Sequence, residues 1–145
     1  MKITLLLCDM ARVAEGKLDV LGAGWTVAGP APVNLGIGML AEVPWADMGE
    51  QHRVELELVD GRGEVVPNEQ GDPLFRVEAA LHTERPAGVL LGSPAVVPMA
   101  LNVNALPVPP GGRYTLRATI DGQSSVDWEV SFSTRPAAGS GTSRL

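Results

Sequence analysis

Residues 113–134 read RYTLRATIDGQSSVDWEVSFST, and this stretch contains two runs in which apolar and polar residues alternate. A period of two is typical of strands that bury one face and solvate the other. The inward set is Tyr114, Leu116, Ala118 and Ile120 in the first run, and Val126, Trp128, Val130 and Phe132 in the second. Asp121 and Gly122 between the runs form a tight-turn signal. The stretch therefore predicts an antiparallel β-hairpin.

The same alternation recurs earlier in the chain, in residues 53–59 and 74–82. A turn at 60–63, Asp-Gly-Arg-Gly, links the first of these runs to a short strand at 64–66 that Pro67 ends. Four other segments are apolar on both faces: 3–8, 18–21, 35–43 and 95–103. Such segments suit central strands, or strands whose outer face is covered by a neighbouring subunit.

Eight or nine short strands at this spacing predict an all-β protein, an antiparallel β-sandwich with Greek-key connections of the immunoglobulin-like or jelly-roll kind. A closed barrel is the alternative. Short helical turns are expected at 10–15, with Asp9 as cap and Gly16 as stop, and at 45–51. We expect a single domain over 1–135 and a flexible tail over 136–145, which is small, polar and without periodicity.

The composition narrows the function classes. The chain has 145 residues, a formal charge of -6 and only 11 Lys and Arg, too few for a basic surface that tracks phosphates, so no nucleic-acid partner is expected. No apolar segment approaches the roughly 18 residues of a membrane span, and the first is too short for a secretory signal. The one cysteine, Cys8, lies in an apolar run, so we expect a buried thiol and a cytoplasmic protein.

Aromatic residues and histidines supply the candidate sites. Trp128 belongs to an inward set and is expected in the core, whereas Trp25 and Trp45 flank loops, where a core lid, a subunit contact and a ligand platform are all open. Tyr114 occupies the position of a tyrosine corner, whose phenol bonds back to the backbone. His52 and His82 are assigned to strand ends and to the outward, solvated face.

No residue pattern predicts chemistry. The two histidines lack metal-ligand spacing, and no serine lies in G-x-S-x-G. We therefore expect no cofactor, no metal and no catalytic residues. The candidate ligand- or partner-binding residues are Trp25, Trp45 and His52.

The most individual stretch runs from Cys8-Asp9 through Ala11 and Val13 to Gly16-Lys17-Leu18 and Leu21-Gly22-Ala23-Gly24. It resembles the opening of a family of small bacterial proteins of unknown function, a domain with a "CDxAxV…GKL…LGxG" pattern. Agreement continues at Glu42-Val43-Pro44-Trp45 and at 52–56, so the resemblance spans most of the chain. It implies one compact domain and brings no activity. Asp9 and Lys17 are its notable polar residues, and an ion pair across the turn between them is one interpretation.

These observations favour a non-catalytic β-sandwich that acts by association, either with itself or as an accessory subunit of a larger assembly. The doubly apolar strands, and a Pro-rich loop that we expect to be exposed with Leu90, Leu91 and Val97 nearby, motivate this hypothesis. The alternative is a carbohydrate- or small-ligand-binding module, which requires Trp25 and Trp45 together on one face. An enzyme would require a pocket that brings His52 or His82 within hydrogen-bond distance of Asp or Glu.

Overall fold

The computed structural model describes residues 1–137, so most of the tail predicted at 136–145 lies outside the described residues. A short 3-10 turn, Trp45–Asp47, is the helical element of this part of the chain. The strands are β1 (Lys2–Cys8), β2 (Met10–Ala14), β3 (Lys17–Leu21), β4 (Val27–Ala28), β5 (Val33–Val43), β6 (His52–Asp60), β7 (Arg76–Leu81), β8 (Ala95–Leu106), β9 (Arg113–Ile120) and β10 (Gln123–Thr134).

Two sheets and a separate hairpin make up the fold, and all strand pairs are antiparallel except that of β4 with β10, which is parallel. The three-stranded sheet has the order β1-β5-β8, the five-stranded sheet has the order β4-β10-β9-β6-β7, and β2 pairs with β3. Buried residues of both sheets, among them Ile37, Leu58 and Leu116, form one core. The predicted all-β sandwich is confirmed, and β9 returns to pair with β6, which is Greek-key connectivity. No ladder among the described strands joins the two sheets, as one would in a barrel.

The predicted hairpin of β9 and β10 is present. Ile120 pairs with Gln123, and Asp121 and Gly122 have φ of 50° and 79°, the geometry of a type I′ turn. Every inward residue predicted for β9 is buried. In β10 the prediction fails at Val126, which is 83% exposed. The register shifts between Ser124 and Glu129, because a bulge there carries extra residues and breaks the alternation.

The tyrosine corner is confirmed. The Tyr114 hydroxyl donates to the carbonyl oxygen of Pro109 over 3.0 Å. The Tyr114 ring also lies 5.9 Å from the Phe132 ring, centroid to centroid. The phenol therefore holds the 107–112 loop against the start of β9.

The turn at 60–63 is also present, with the amide of Gly63 donating to the carbonyl of Asp60 over 3.0 Å. The Asp60 side chain accepts from the amides of Arg62 and Glu64, which fixes the loop. The strand predicted at 64–66 is reduced to a bridge between Val59 and Val65.

The helical turn predicted at 10–15 is wrong. Residues Met10–Ala14 form β2, which pairs with β3 from Met10 opposite Leu21 to Ala14 opposite Lys17. Glu15 and Gly16 have φ of 52° and 72°, so Gly16 serves a hairpin turn and does not end a helix. The turn predicted at 45–51 is confirmed in its first half, Trp45–Asp47.

This β2–β3 hairpin covers the outer face of the three-stranded sheet. A Cβ on Gly38 would lie 3.0 Å from Val20 Cγ1 and 3.2 Å from Leu18 Cδ2, so the glycine provides the room for both side chains. The Asn102 amide accepts from the Ala11 N–H and donates to the Ala11 carbonyl, over 3.0 and 2.8 Å. Part of the doubly apolar character of β5 and β8 is therefore satisfied within the chain.

The ion pair considered between Asp9 and Lys17 does not form. Asp9 precedes the open end of the hairpin and Lys17 follows its turn, so the two residues lie at opposite ends. The pair found on this hairpin is Arg12 with Asp19, over 3.0 Å. Cys8 is a free, fully buried thiol, and burial, with the nearby Asp9 carboxylate, raises its pKa.

Candidate interaction surface

The sandwich is closed along one side and open along the other. On the closed side β1 lies against β10. On the open side the edge strands are β7 and β8. Within residues 1–137, β7 pairs only with β6 and β8 pairs only with β5. A long edge strand with free backbone groups is a ready template for another chain, unless charges or other devices protect it.

The exposure of side chains on the inner face of β8 shows the same opening. Ala95, Val97, Met99, Leu101 and Val103 face the core, and each is partly exposed. Their direct partners on β5, such as Ile37 opposite Leu101, are buried. Ala79 on β7, predicted inward, is exposed for the same reason. At this edge the inner side chains are therefore left uncovered, and one further strand would cover them.

A cleft of about 230 Å³ lies between the two edge strands. Its walls include Met39, Leu56, Val77, Ala79, Met99 and Leu101, and no charged or polar side chain lines it. An apolar space of this kind favours an apolar occupant over water, because water needs polar partners.

The loop from β7 to β8 presents an apolar tip beside this opening. Leu90 and Leu91, called the leucine tip below, are 82% and 86% exposed. The Ser93 amide donates to the Leu90 carbonyl over 3.1 Å, which closes a turn at the tip. From Pro86 to Gly112 the chain contains no charged residue, although 19% of all residues are charged. Depletion of charge marks the centre of protein interfaces.

The outer face of the five-stranded sheet has the opposite character. Arg76 bonds Glu55 over 2.9 Å, Arg117 bonds Glu57 over 2.5 Å, and Arg53 bonds Glu78. These are exposed or partly exposed pairs of the kind that contribute little stability but keep a sheet face solvated. The absence of charge is therefore limited to the stretch from Pro86 to Gly112, which includes β8 and most of the β7–β8 loop.

His52 is 8% exposed, so the prediction of a solvated histidine is wrong. It shares the parity of Val54 on β6, which places it inward. Its Nδ1 lies 2.8 Å from Asp121 Oδ2, and its Nε2 lies 2.9 Å from the Asp47 carbonyl oxygen. The side chain thus joins the start of β6 to the 3-10 turn and to the β9–β10 turn.

Both partners of His52 are acceptors, so both ring nitrogens donate only when the ring is an imidazolium. The hydrogen bond to Asp121, followed by that to Asp47, raises the His52 pKa above its ordinary value, and burial opposes this. The Arg53 amide, with His52, lowers the Asp121 pKa. The His52 contribution to stability is therefore fully present below about pH 6.5 and is lost as pH rises through the folded pKa. The Asp121 contribution is lost on acidification below about pH 4.

We predict that Asp121→Asn lowers the His52 pKa toward its ordinary value. Asparagine keeps the acceptor for the Arg53 amide and tolerates the left-handed backbone of position 121, so the fold is retained. The loss of stability on substitution should be larger near pH 5.5 than at a pH above the folded His52 pKa, where the ring is neutral in both proteins. A proton NMR titration of His52 and urea unfolding at both pH values measure this. An unchanged His52 pKa in the variant would contradict the assigned pair.

Both histidines lie beside a carboxylate, which is the geometry that an enzyme was expected to require. His82 Nε2 lies 2.7 Å from Glu84 Oε1, two residues along an exposed segment. His52 has both ring nitrogens engaged. Within residues 1–137 no three His, Cys, Asp or Glu side chains group as metal ligands.

The two candidate tryptophans are not brought together. Trp25 packs edge-on against Phe132, with ring centroids 5.7 Å apart, near the start of β5, and it lines a depression with Val33. Trp45 follows the end of β5, with Arg85 4.8 Å from its ring centroid and bonded to its carbonyl. An 11-residue strand separates these ends by about 33 Å. One platform that uses both rings is excluded, while binding at either ring alone stays a prediction.

The sequence singled out His52 as a candidate residue, but the assignment to the outward, solvated face is wrong and its partners were not predicted. Asp121 is 69 residues away, and only the strand order brings the β9–β10 turn to the start of β6. The open side was also missed. The charge-free run from Pro86 to Gly112 was the available signal for it.

The fold and the surface define a class: a small all-β sandwich with an apolar cleft at its open edge. The chain matches a family described as a family of unknown function (DUF6941) over residues 3–132. It therefore belongs to that family. The resemblance is confirmed at this level, while the N-terminal pattern as its signature and a bacterial source stay predictions.

No curated protein and no solved structure matches this chain. In residues 1–137 no helix is long and apolar enough to cross a membrane.

Proposed function

We propose that this protein works without catalysis, by associating with another protein chain through its open β7–β8 side. The partner is a second copy or a larger assembly in which this chain is an accessory subunit. The observation that carries the proposal is the uncharged surface formed by β8 and the leucine tip. It combines a free strand edge, a half-exposed apolar row and two exposed leucines.

The apolar area that this surface leaves exposed to water favours association energetically. Burial of apolar area contributes about 25 cal/mol per Å², and the residues from Val89 to Val103 place apolar side chains along one continuous side. The stretch from Pro86 to Gly112 adds no charge that a partner would have to desolvate. The flanking charges are Glu42, opposite Val96 on β5, and Arg76 and Glu78 on β7. Charged groups elsewhere on the surface make competing docking sites costly.

The non-catalytic part of the proposal is supported by the two hydrogen bonds of His52. A general base needs a free ring nitrogen, and both nitrogens of His52 are bonded to fixed acceptors. The cytoplasm is the proposed compartment, because a free, buried Cys8 suits a reducing environment.

The first test is the solution mass by light scattering over a concentration series. Self-association predicts a mass above 15.2 kDa that falls on dilution. Val96→Lys places a charge on β8 at a residue that is 54% exposed, and it should shift the series toward the monomer. Val126→Lys is the matched control, since Val126 is exposed on the bulge of β10, and it should leave the mass unchanged.

The accessory-subunit form has its own test. Chemical crosslinking in an extract of the source cells should give a product with the wild-type chain and with Val126→Lys. The product should be lost with Val96→Lys. Equal products for all three chains would contradict a partner on the β8 side.

A further inference from the structure

The apolar cleft and the leucine tip are two complementary shapes on one side of the molecule. The cleft lies between β7 and β8, and the tip lies in the loop that joins the same strands. We infer that the leucine tip of one copy of this chain occupies the cleft of a second copy, and that the exchange is reciprocal. This inference rests on the proposed function and names its partner.

The sizes agree. An engineered apolar cavity of about 150 Å³ holds benzene, which has six carbons. On that scale a space of 230 Å³ has room for about nine carbons. The side chains of Leu90 and Leu91 together have eight. The two methionines of the cleft, Met39 and Met99, are flexible enough to adjust to the inserted side chains.

The charges favour a second copy at this side. Each chain carries a formal charge of -6, so two copies repel each other over most orientations. The repulsion is weakest where the uncharged stretches from Pro86 to Gly112 face one another. No ion pair is needed to match the tip to the cleft, because neither the two leucines nor the lining of the cleft carries a charge.

Symmetry requires that such an interface be self-complementary. A twofold dimer uses the same patch on both copies, so a patch that holds both a protrusion and a cleft forms two identical contacts. Direct pairing of two β8 edges is less favoured. Pro98 has no N–H, and proline within an edge strand is one of the devices that block strand addition.

The test compares three variants by light scattering and sedimentation across one concentration series. Leu90→Asp with Leu91→Asp removes the tip, and Ala79→Phe fills the cleft from a position that is already exposed. Each change should raise the dissociation constant of the dimer at least about thirtyfold, as expected for the loss of a central contact. Val126→Asp, at an equally exposed apolar residue, should leave the constant unchanged.

A mixture separates the two contacts. The tip variant keeps its cleft and Ala79→Phe keeps its tip, so an equimolar mixture restores one of the two contacts and should associate more tightly than either variant alone. If the wild-type chain associates and Ala79→Phe associates equally well, the cleft is not the receptor and the inference is overturned, while the proposed function stands. A wild-type monomer at every concentration overturns the inference and leaves only a different protein as the partner.

Discussion

Replacing Phe132 with alanine is expected to lower the free energy of unfolding by about 3–5 kcal/mol. Phe132 is 2% exposed and contacts both the Trp25 ring, edge-on at 5.7 Å, and the Tyr114 ring at 5.9 Å. Its removal leaves a cavity between β9, β10 and the loop before β4. The Tyr114 ring belongs to the tyrosine corner, whose hydrogen bond limits how far that ring can collapse into the space.

The measurement is urea unfolding followed by circular dichroism at one fixed protein concentration, because association would add its own contribution. Val126→Ala on the same strand is the control and should change the free energy by no more than about 0.5 kcal/mol. Both residues belong to the inward set that simple alternation predicts for β10. Equal losses for the two variants would contradict the bulge between Ser124 and Glu129.

Replacing Gly36 with alanine is expected to cost about 2–3 kcal/mol of unfolding free energy. A Cβ at this position would lie 2.6 Å from the Cys8 carbonyl oxygen and 3.0 Å from the Asp9 carbonyl carbon. Both are backbone atoms at the end of β1, so the strand itself has to move. The shift would also disturb the entry into the β2–β3 hairpin, which begins at Met10.

Gly61→Ala is the matched control for this change. The nearest atom to a Cβ at Gly61 is the Arg113 carbonyl oxygen at 3.9 Å, an ordinary contact. Its unfolding free energy should stay within about 1 kcal/mol of the wild type, in either direction. A loss at Gly36 no larger than that at Gly61 would show that β1 and β5 do not approach as closely as described.

The alternation of apolar and polar residues predicted the strands that have one wet face. β9 follows it throughout and β6 follows it as far as Leu58, since their outer residues lie on the charged, solvated face of the five-stranded sheet. Val59, on the outer parity of β6, is buried. It failed at Val126, because a bulge changes the period without any change in composition. It also failed at residues 10–15, where Asp9 and Gly16 resemble helix signals but Glu15 and Gly16 form a hairpin turn.

The site was less predictable than the strands, for a physical reason. The partners of His52 and the opening between β7 and β8 depend on strand order, which periodicity does not encode. Val77 and Ala79 carry the same inward pattern as buried strands, yet they lie at an edge that no neighbouring strand covers. Sequence indicated the surface only through the exposed leucines and the absence of charge around them.

We propose above all that this protein associates through its open β7–β8 side. The most direct measurement is backbone amide hydrogen exchange at a dilute and a concentrated sample, resolved by segment. The account predicts slower exchange on concentration in β8 and at the leucine tip, with no change at the exposed end of β3 or at 125–128 on the bulge of β10. Slower exchange confined to those other segments, or a mass above 15.2 kDa with no change in β8, would contradict it.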